Sequence, residues 1–222
     1  MDPRWPLTDD VDVVVLAGGD PMAPELLPAV PEAAHVIAAD SGLELTGALG
    51  RRADLLVGDL DSASPAMVTA ARDAGTRVEV HARDKDRTDL AIALDAALTH
   101  APAKVLVLGG HGGRLDHLLA NALLLCARRY AALQLVAQAG PAIATVVHEH
   151  AVVHGRVGDV VSLLAIHGAA HGVRTRGLRF PLDDETLAPG SSRGVSNELA
   201  ATSAEVRVAD GTVLAVQPGQ PG

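Results

Sequence analysis

Four aspartates define the chemistry this sequence can do. Asp40 ends the apolar run Val36-Ile37-Ala38-Ala39, Asp59 and Asp61 follow Ala53-Asp54-Leu55-Leu56-Val57 within Gly58-Asp59-Leu60-Asp61-Ser62, and Asp89 closes Asp86-Arg87-Thr88-Asp89. Carboxylates delivered by the ends of rigid elements are what a hard cation such as Mg2+ binds, with coordination positions left over for substrate phosphates. The expected chemistry is magnesium-dependent phosphoryl transfer, with Asp40, Asp59, Asp61 and Asp89 as the metal-holding residues. Side chains alternate along an extended backbone, so Asp59 and Asp61 are expected on one side of one strand, within reach of one ion or two adjacent ones. Each acid also has a plainer reading. Asp61 or Ser62 would serve as a helix cap ahead of Pro65, and Asp89, after an N-cap Thr88, is favoured by the helix dipole without any catalytic role. Capping explains one acid at a time but not the set.

Two glycine clusters add a second ingredient. Val13-Val14-Val15-Leu16-Ala17 runs into Gly18-Gly19-Asp20, and Val105-Leu106-Val107-Leu108 runs into Gly109-Gly110-His111-Gly112-Gly113-Arg114-Leu115-Asp116-His117. Glycines directly after a buried strand let backbone N–H groups approach an anion. An isolated Gly-Gly pair more commonly makes a simple turn. The second cluster precedes a helix, whose N-terminus adds partial positive charge, and it is not a P-loop, since no Gly-Lys-Ser/Thr follows. Arg114, His117 and Asn121 share one face of that helix, as ligand contacts or as the solvent side of a Leu-rich helix. The charged run from Arg83 to Arg87 is likewise either a solvated loop or one that holds a triphosphate.

The elements that must position these residues alternate from Asp12 onward between short β-branched runs and longer Ala/Leu patterns, as in an α/β domain with a largely parallel sheet. Leu90, Ala93, Leu94, Ala97 and Leu98 lie on one face of the helix after Asp89. Beyond Gly140 the texture changes to short runs such as Asp159-Val160-Val161-Ser162-Leu163-Leu164 and Ala204-Glu205-Val206-Arg207-Val208, separated by Gly-rich turns. That spacing predicts a small all-β domain, with Asp210-Gly211 as a hairpin turn between its last two strands. The expected division is therefore residues 1–140, a Rossmann-like, mostly parallel α/β sheet domain carrying the metal and phosphoryl-transfer chemistry, and residues 141–222, a smaller all-β sandwich. Within the latter, His148, His150 and His154 lack the Cys or carboxylate partners of a zinc site and read as strand histidines. Gly194-Val195-Ser196-Asn197-Glu198 reads as an Asx-type turn or a ligand-facing loop.

Composition narrows the function classes. The chain has 222 residues, 48% hydrophobic and 20% charged, with one Trp, one Tyr and one Phe and a net charge of -9. The core must be aliphatic, and a chain so acidic and so poor in aromatics is unsuited to DNA or RNA. The single Cys126 sits in a Leu-rich run and reads as a buried, inert thiol. Met1-Asp2-Pro3-Arg4-Trp5-Pro6 lacks the basic and apolar regions of a signal peptide, and no apolar run approaches a membrane span, so a cytoplasmic location is expected.

With these residues assembled, the chain resembles the thiamine pyrophosphokinase family over nearly its whole length. Ala39-Asp40-Ser41-Gly42 resembles A-D-[GS]-G, Gly58-Asp59-Leu60-Asp61-Ser62 resembles G-D-[FL]-D-S, and Asp86-Arg87-Thr88-Asp89 resembles D-x-T-D. Gly112-Gly113-Arg114-Leu115-Asp116-His117 with Asn121 resembles G-G-R-x-D-H-x-x-x-N, and Gly177-Leu178-Arg179-Phe180-Pro181-Leu182 and Val195-Ser196-Asn197-Glu198 resemble G-L-x-[YW]-P-L and S-N-E. The resemblance implies transfer of a pyrophosphoryl group from ATP to the hydroxyl of thiamine, giving thiamine diphosphate and AMP. It implies an N-terminal α/β domain, a C-terminal β-sandwich, and a homodimer whose thiamine site lies between one subunit's α/β domain and the other's β-domain. Carried over by motif, Asp40, Asp59, Asp61 and Asp89 hold Mg2+ and the phosphates, with Asp59, Asp61 and Asp89 in catalytic roles. Thr88, Arg114 and Asp116, with His117 and Asn121, serve the nucleotide, while Ser196 and Asn197 touch thiamine.

One departure concerns the acceptor. Eukaryotic members stack a β-domain Trp on the thiamine ring, whereas Trp5 is the only Trp here. Leu199 or the Ser196-Asn197 backbone is then expected to contact the ring. Two alternatives stand beside the leading reading: a pyrophosphokinase acting on another heterocyclic alcohol such as a hydroxymethyl-pterin, and a non-catalytic nucleotide sensor.

Overall fold

The computed structural model describes residues 10–82 and 86–219. Trp5 and the Arg83, Asp84 and Lys85 part of the charged run lie outside them. The described residues form two compact units, one comprising residues 10–121 together with Gln138–Gly140, the other comprising Ala122–Ala137 and residues 141–219. The expected break after residue 140 thus differs from the structural division for residues 122–137.

In the first unit, five strands form a parallel array: β1 (Val13–Ala17), β2 (His35–Ala39), β3 (Leu55–Gly58), β4 (Arg77–Val80) and β5 (Lys104–Gly109). Their order is β5-β1-β2-β3-β4, every pair parallel. All five residues of β1 and all four of β3 are buried, because a parallel sheet is covered on both faces and its strands read as continuous apolar runs rather than alternating ones. The helices are α1 (Leu45–Leu49), α2 (Pro65–Asp73), α3 (Asp89–Leu98) and α4 (Leu115–Leu125), the last shared between the units. Helix α3 buries Leu90, Ala93, Leu94 and Ala97 and packs on β1, β2 and β3. Its N-cap is the expected Thr88, whose Oγ1 accepts the Ala91 N–H at 3.3 Å. The strand order matters for function. From β1 the chain steps through β2, β3 and β4 in one direction, then returns to place β5 on the other side of β1. The ends of β1 and β5 therefore diverge at a topological switch point, where open α/β sheets form a ligand crevice.

The second unit is antiparallel in each of its recorded pairings. Here β6 (Gln134–Ala139), β7 (Ala142–Val147), β14 (Val213–Gln217), β9 (Val160–Ala165) and β12 (Asn197–Glu198) follow one another, and β8 (His150–His154), β13 (Ser203–Arg207), β10 (Ala170–Arg176) and β11 (Glu185–Leu187) form a second sheet. An aliphatic core including Val153, Leu163, Val173, Leu187, Leu199 and Val206 fills this unit. The expected hairpin at Asp210-Gly211 is not formed. Strand β13 pairs with β8 and β10, whereas β14 pairs with β7 and β9. Gly211 still makes a turn, with φ 98°, but the turn carries the chain from one sheet to the other, while Asp210 bridges to His171. Cys126 is buried, and burial pushes its thiol up to about 12, as expected of an inert cysteine. Among the described residues no helix is long and apolar enough to cross a membrane.

Candidate active site

The C-terminal ends of the first unit's strands open into a cleft of about 630 Å³. Five segments line it: Ala17 to Asp20 after β1, Ala39 to Ser41 after β2, Asp59, Asp61 and Ser62 after β3, Thr88 to Leu90 at the start of α3, and Gly110 to Arg114 with His117, Ala120 and Asn121 around the start of α4. Of the sequence-predicted residues of this unit, Asp40, Asp59, Asp61, Thr88, Asp89, Arg114, His117 and Asn121 are brought together here. Asp116 does not line the cleft. Its carboxylate instead takes two hydrogen bonds from Arg114, at 3.2 and 2.6 Å, which pull the Asp116 carboxyl below its ordinary range and fix the direction of the guanidinium.

At the centre lie Asp40, Asp59 and Asp89, each offering a carboxylate oxygen within 4.8 Å of the others. Asp61 lines the same cleft but is not part of this closest group. The expected side-by-side placement of Asp59 and Asp61 on an extended strand gives way to a turn. Strand β3 stops at Gly58, Leu60 has φ 63°, and the Asp61 N–H donates to Asp59 Oδ1 at 3.1 Å. Both acids still reach the cleft, one braced by the other's backbone.

Backbone strain holds the acids at this distance. Asp40 adopts φ 47° at the start of the 3-10 turn Asp40–Glu44, a left-handed conformation that costs a non-glycine residue about 1 kcal/mol or more and is concentrated at functional sites. Gly58, with φ 146°, lets the strand end pass beside both carboxylates. A Cβ there would lie 3.1 Å from Asp40 Cβ and 3.2 Å from Asp89 Oδ1.

Asp40 is 8% exposed and its Oδ1 is buried without a hydrogen-bond partner. Burial, reinforced by the charges of Asp89 and Asp59, raises the Asp40 carboxyl above its ordinary range, with hydrogen bonds from Ser62 and the Ser41 backbone pulling the other way. Three converging carboxylates with an orphaned oxygen fit a hard divalent cation, which would supply the missing partner and offset the repulsion.

The cleft also contains residues the sequence reading passed over. Asp20, Ser41, Ser62 and His111 line it, and His111 Nδ1 is buried with no partner. For Asp20 and His111 the signal lay in the strand order: the loops after β1 and β5 border the switch point, which a glycine cluster read in isolation does not reveal.

In the second unit, Ser196 has φ 59° and its N–H donates to Ser162 Oγ at 3.1 Å. Asn197 is buried and its carboxamide is committed: Oδ1 accepts the Phe180 and Glu198 N–H groups at 3.0 and 2.9 Å, and Nδ2 donates to Phe180 O at 2.7 Å. Its side chain therefore positions the segment around Phe180. Leu199, expected as a ring contact, is 1% exposed and belongs to the core. Among the described residues the exposed aromatic is Phe180, 52% accessible, with the Arg179 guanidinium 5.4 Å from its ring centroid and Arg179 itself paired to Glu198 at 2.8 Å. His150 pairs with Glu205 and His148 with Thr212, consistent with structural histidines.

The raised Asp40 carboxyl has a sign that can be measured. A carboxyl whose folded pKa exceeds its unfolded value contributes full stability below the unfolded value and loses it as pH rises through the folded one. Ionised Asp40 should therefore destabilise the metal-free protein at neutral pH. Asp40→Asn, whose residue tolerates the left-handed backbone, should melt above the wild type at pH 7 without metal. The advantage should shrink on acidification, and Mg2+ should raise the melting temperature of the wild type alone. A variant that melts lower at pH 7 and still responds to Mg2+ would contradict this.

Residues 28–137 match the family model described as thiamin pyrophosphokinase, catalytic domain, and residues 148–213 match that described as thiamin pyrophosphokinase, vitamin B1 binding domain. A thiamine pyrophosphokinase of Bacillus subtilis (strain 168) is 26% identical over 162 residues, 72% of this chain and 76% of that protein. Among solved structures, thiamin pyrophosphokinase from Geobacillus thermodenitrificans has a TM-score of 0.76 at 26% identity, covering 95% of this chain and 98% of that one. Thiamine pyrophosphokinase from Bacillus subtilis has a TM-score of 0.80 at 22% identity, covering 94% and 99%. Thiamin pyrophosphokinase from Candida albicans shares the fold at 12% identity, with a TM-score of 0.76 and coverage of 96% and 91%. Both family models match in order along one chain, and the chain belongs to the thiamin pyrophosphokinase family.

Proposed function

We propose that this chain transfers a pyrophosphoryl group from ATP to the hydroxyl of thiamine, releasing AMP, with Asp40, Asp59, Asp61 and Asp89 serving the metal and phosphates. The observation that carries the reading is the convergence of Asp40, Asp59 and Asp89 within 4.8 Å in a glycine-lined cleft. A bound Mg2+ there would neutralise phosphate oxygens and fix the polyphosphate for in-line attack. The rest falls to the chain's own groups. Arg114, held by Asp116, adds positive charge to a cleft otherwise lined by acids, and Thr88 caps the helix whose N-terminus opens there. The thiamine oxygen bonds to the β-phosphorus, the bond from that phosphorus to the oxygen bridging it to the α-phosphate breaks, and AMP leaves. The hydroxyl proton passes to a cleft carboxylate as the new bond forms.

Acceptor binding belongs to the second unit in this reading, with Ser196 nearby and Asn197 holding Phe180 outward. Phe180 stands where the related motif has Tyr or Trp and supplies the aromatic face for the thiamine ring. The matched vitamin B1 binding domain favours thiamine over a pterin alcohol, and the clustered carboxylates exceed what a nucleotide sensor needs. A cytoplasmic homodimer completes the reading. Helix α4 exposes Leu115, Leu119 and Leu123 in one stripe, the kind of apolar surface that a partner covers.

The test is product identity. With ATP, Mg2+ and thiamine the protein should release AMP and thiamine diphosphate in equal amounts, and Asp59→Asn should lower kcat by about a hundredfold or more at unchanged melting temperature. ADP as the nucleotide product would refute the reading. Phe180→Ala should raise KM for thiamine about tenfold or more while leaving KM for ATP near the wild-type value. Equal changes in both would remove Phe180 from the acceptor site.

A further inference from the structure

Among the described residues, a fifth carboxylate lines the cleft away from the metal-holding cluster. Asp20 lies in the loop after β1, whereas Asp40, Asp59 and Asp89 come from the ends of β2 and β3 and the start of α3. Neighbouring strands lie about 4.8 Å apart, so the Asp20 loop is one strand from that of Asp40 and two from that of Asp59. Asp20 is not in the group whose oxygens lie together. Its placement is built into the backbone. The Asp20 N–H donates to His111 O at 2.8 Å, and the Gly110 N–H donates to Gly18 O at 3.0 Å, tying the β1 and β5 loops together. The carboxylate lies flat against Gly112, where φ is 84° and a Cβ would fall 2.0 Å from Asp20 Cγ and Oδ2. Only glycine leaves room for it.

Asp20 is exposed to the cleft, and once a nucleotide covers it the carboxylate is best placed beside a donor rather than a phosphate, because two anions repel and charge-assisted hydrogen bonds are strong. With the phosphates over the acids of β2 and β3, the next group along the nucleotide toward the β1–β5 crevice is the sugar. Its neighbouring hydroxyls are the donors a carboxylate pairs with, as acidic residues do at the ribose in doubly wound folds. We propose that Asp20 accepts hydrogen bonds from the vicinal hydroxyls of the ATP ribose, setting the direction of the nucleotide in the cleft and selecting ribose over its deoxy forms. This rests on the cleft being the ATP site.

Calorimetric binding of ATP and of 2′,3′-dideoxy-ATP, with Mg2+ and no thiamine, to the wild type, Asp20→Ala and Asp20→Asn tests it, alongside melting curves and AMP release with thiamine. The wild type should bind ATP about ten- to a hundredfold more tightly than the dideoxy form. Asp20→Ala should bind both alike, near the wild-type affinity for the dideoxy form, and Asp20→Asn should keep only a reduced preference. Equal wild-type affinities, an undiminished preference in Asp20→Ala, or parallel losses for both nucleotides would overturn the proposal. Should Asp20→Ala melt early, an undiminished preference in Asp20→Asn overturns it instead. Ribose preference without AMP release on thiamine would sink the pyrophosphokinase reading and leave Asp20 its role, whereas thiamine diphosphate formation with ribose-blind binding would sink the Asp20 role alone.

Discussion

Three carboxylates held within 4.8 Å of one another repel, and the fold keeps them there anyway. Asp40 shows the cost: it is buried, its Oδ1 has no partner, and its carboxyl is raised above the ordinary range by burial and by its acidic neighbours. Such an arrangement persists only where the surrounding structure enforces it. The enforcement is visible in the left-handed backbone of Asp40 and in Gly58, which leaves no side chain between the acids.

The sheet makes that enforcement possible. Parallel strands buried on both faces are stiff supports, and all their C-terminal ends open on one edge. Strands β2 and β3 deliver Asp40 and the Asp59 turn, α3 delivers Asp89 from its first turn, and β1 and β5 deliver glycine loops beside them. Acids and glycines thus divide the cleft, with the clustered carboxylates on the β2 and β3 side and open backbone on the β1 and β5 side. Arg114 adds a cationic side chain to this lining and is itself aimed by Asp116 rather than left to rotate.

Much of this was legible in the sequence because strand ends are easy to read. Apolar β-branched runs mark buried strands, and whatever polar residue follows them lies at the rim, which is how Asp40 and Asp59 stood out, while Asp89 was read from the start of the helix that Thr88 caps. Thr88 was legible as a cap for the same local reason. What depended on three-dimensional pairing was not legible. The Asp59 and Asp61 pair was expected on an extended strand, but Leu60 turns the chain with φ 63°. Asp210-Gly211 carries a hairpin signal, yet its flanking strands belong to different sheets, and no local turn chemistry records which sheet a strand joins. Asn197 looked like a ligand-facing polar residue, and only its partners show that it holds Phe180. Leu199 looked available and is core, while Phe180 is the exposed ring of the two, with Tyr130, that lie among the described residues. Asp20 was hidden because its importance comes from the order of strands.

The central claim, that the clustered carboxylates exist to hold a divalent cation, is tested most directly by counting bound ions. Mn2+ in place of Mg2+ can be titrated into the protein and its free concentration followed by electron paramagnetic resonance, in the presence of a non-hydrolysable ATP analogue. The account predicts saturable binding to the wild type and at least tenfold weaker binding to Asp59→Asn at unchanged fold. Equal Mn2+ binding by both proteins, or none by either, would contradict it.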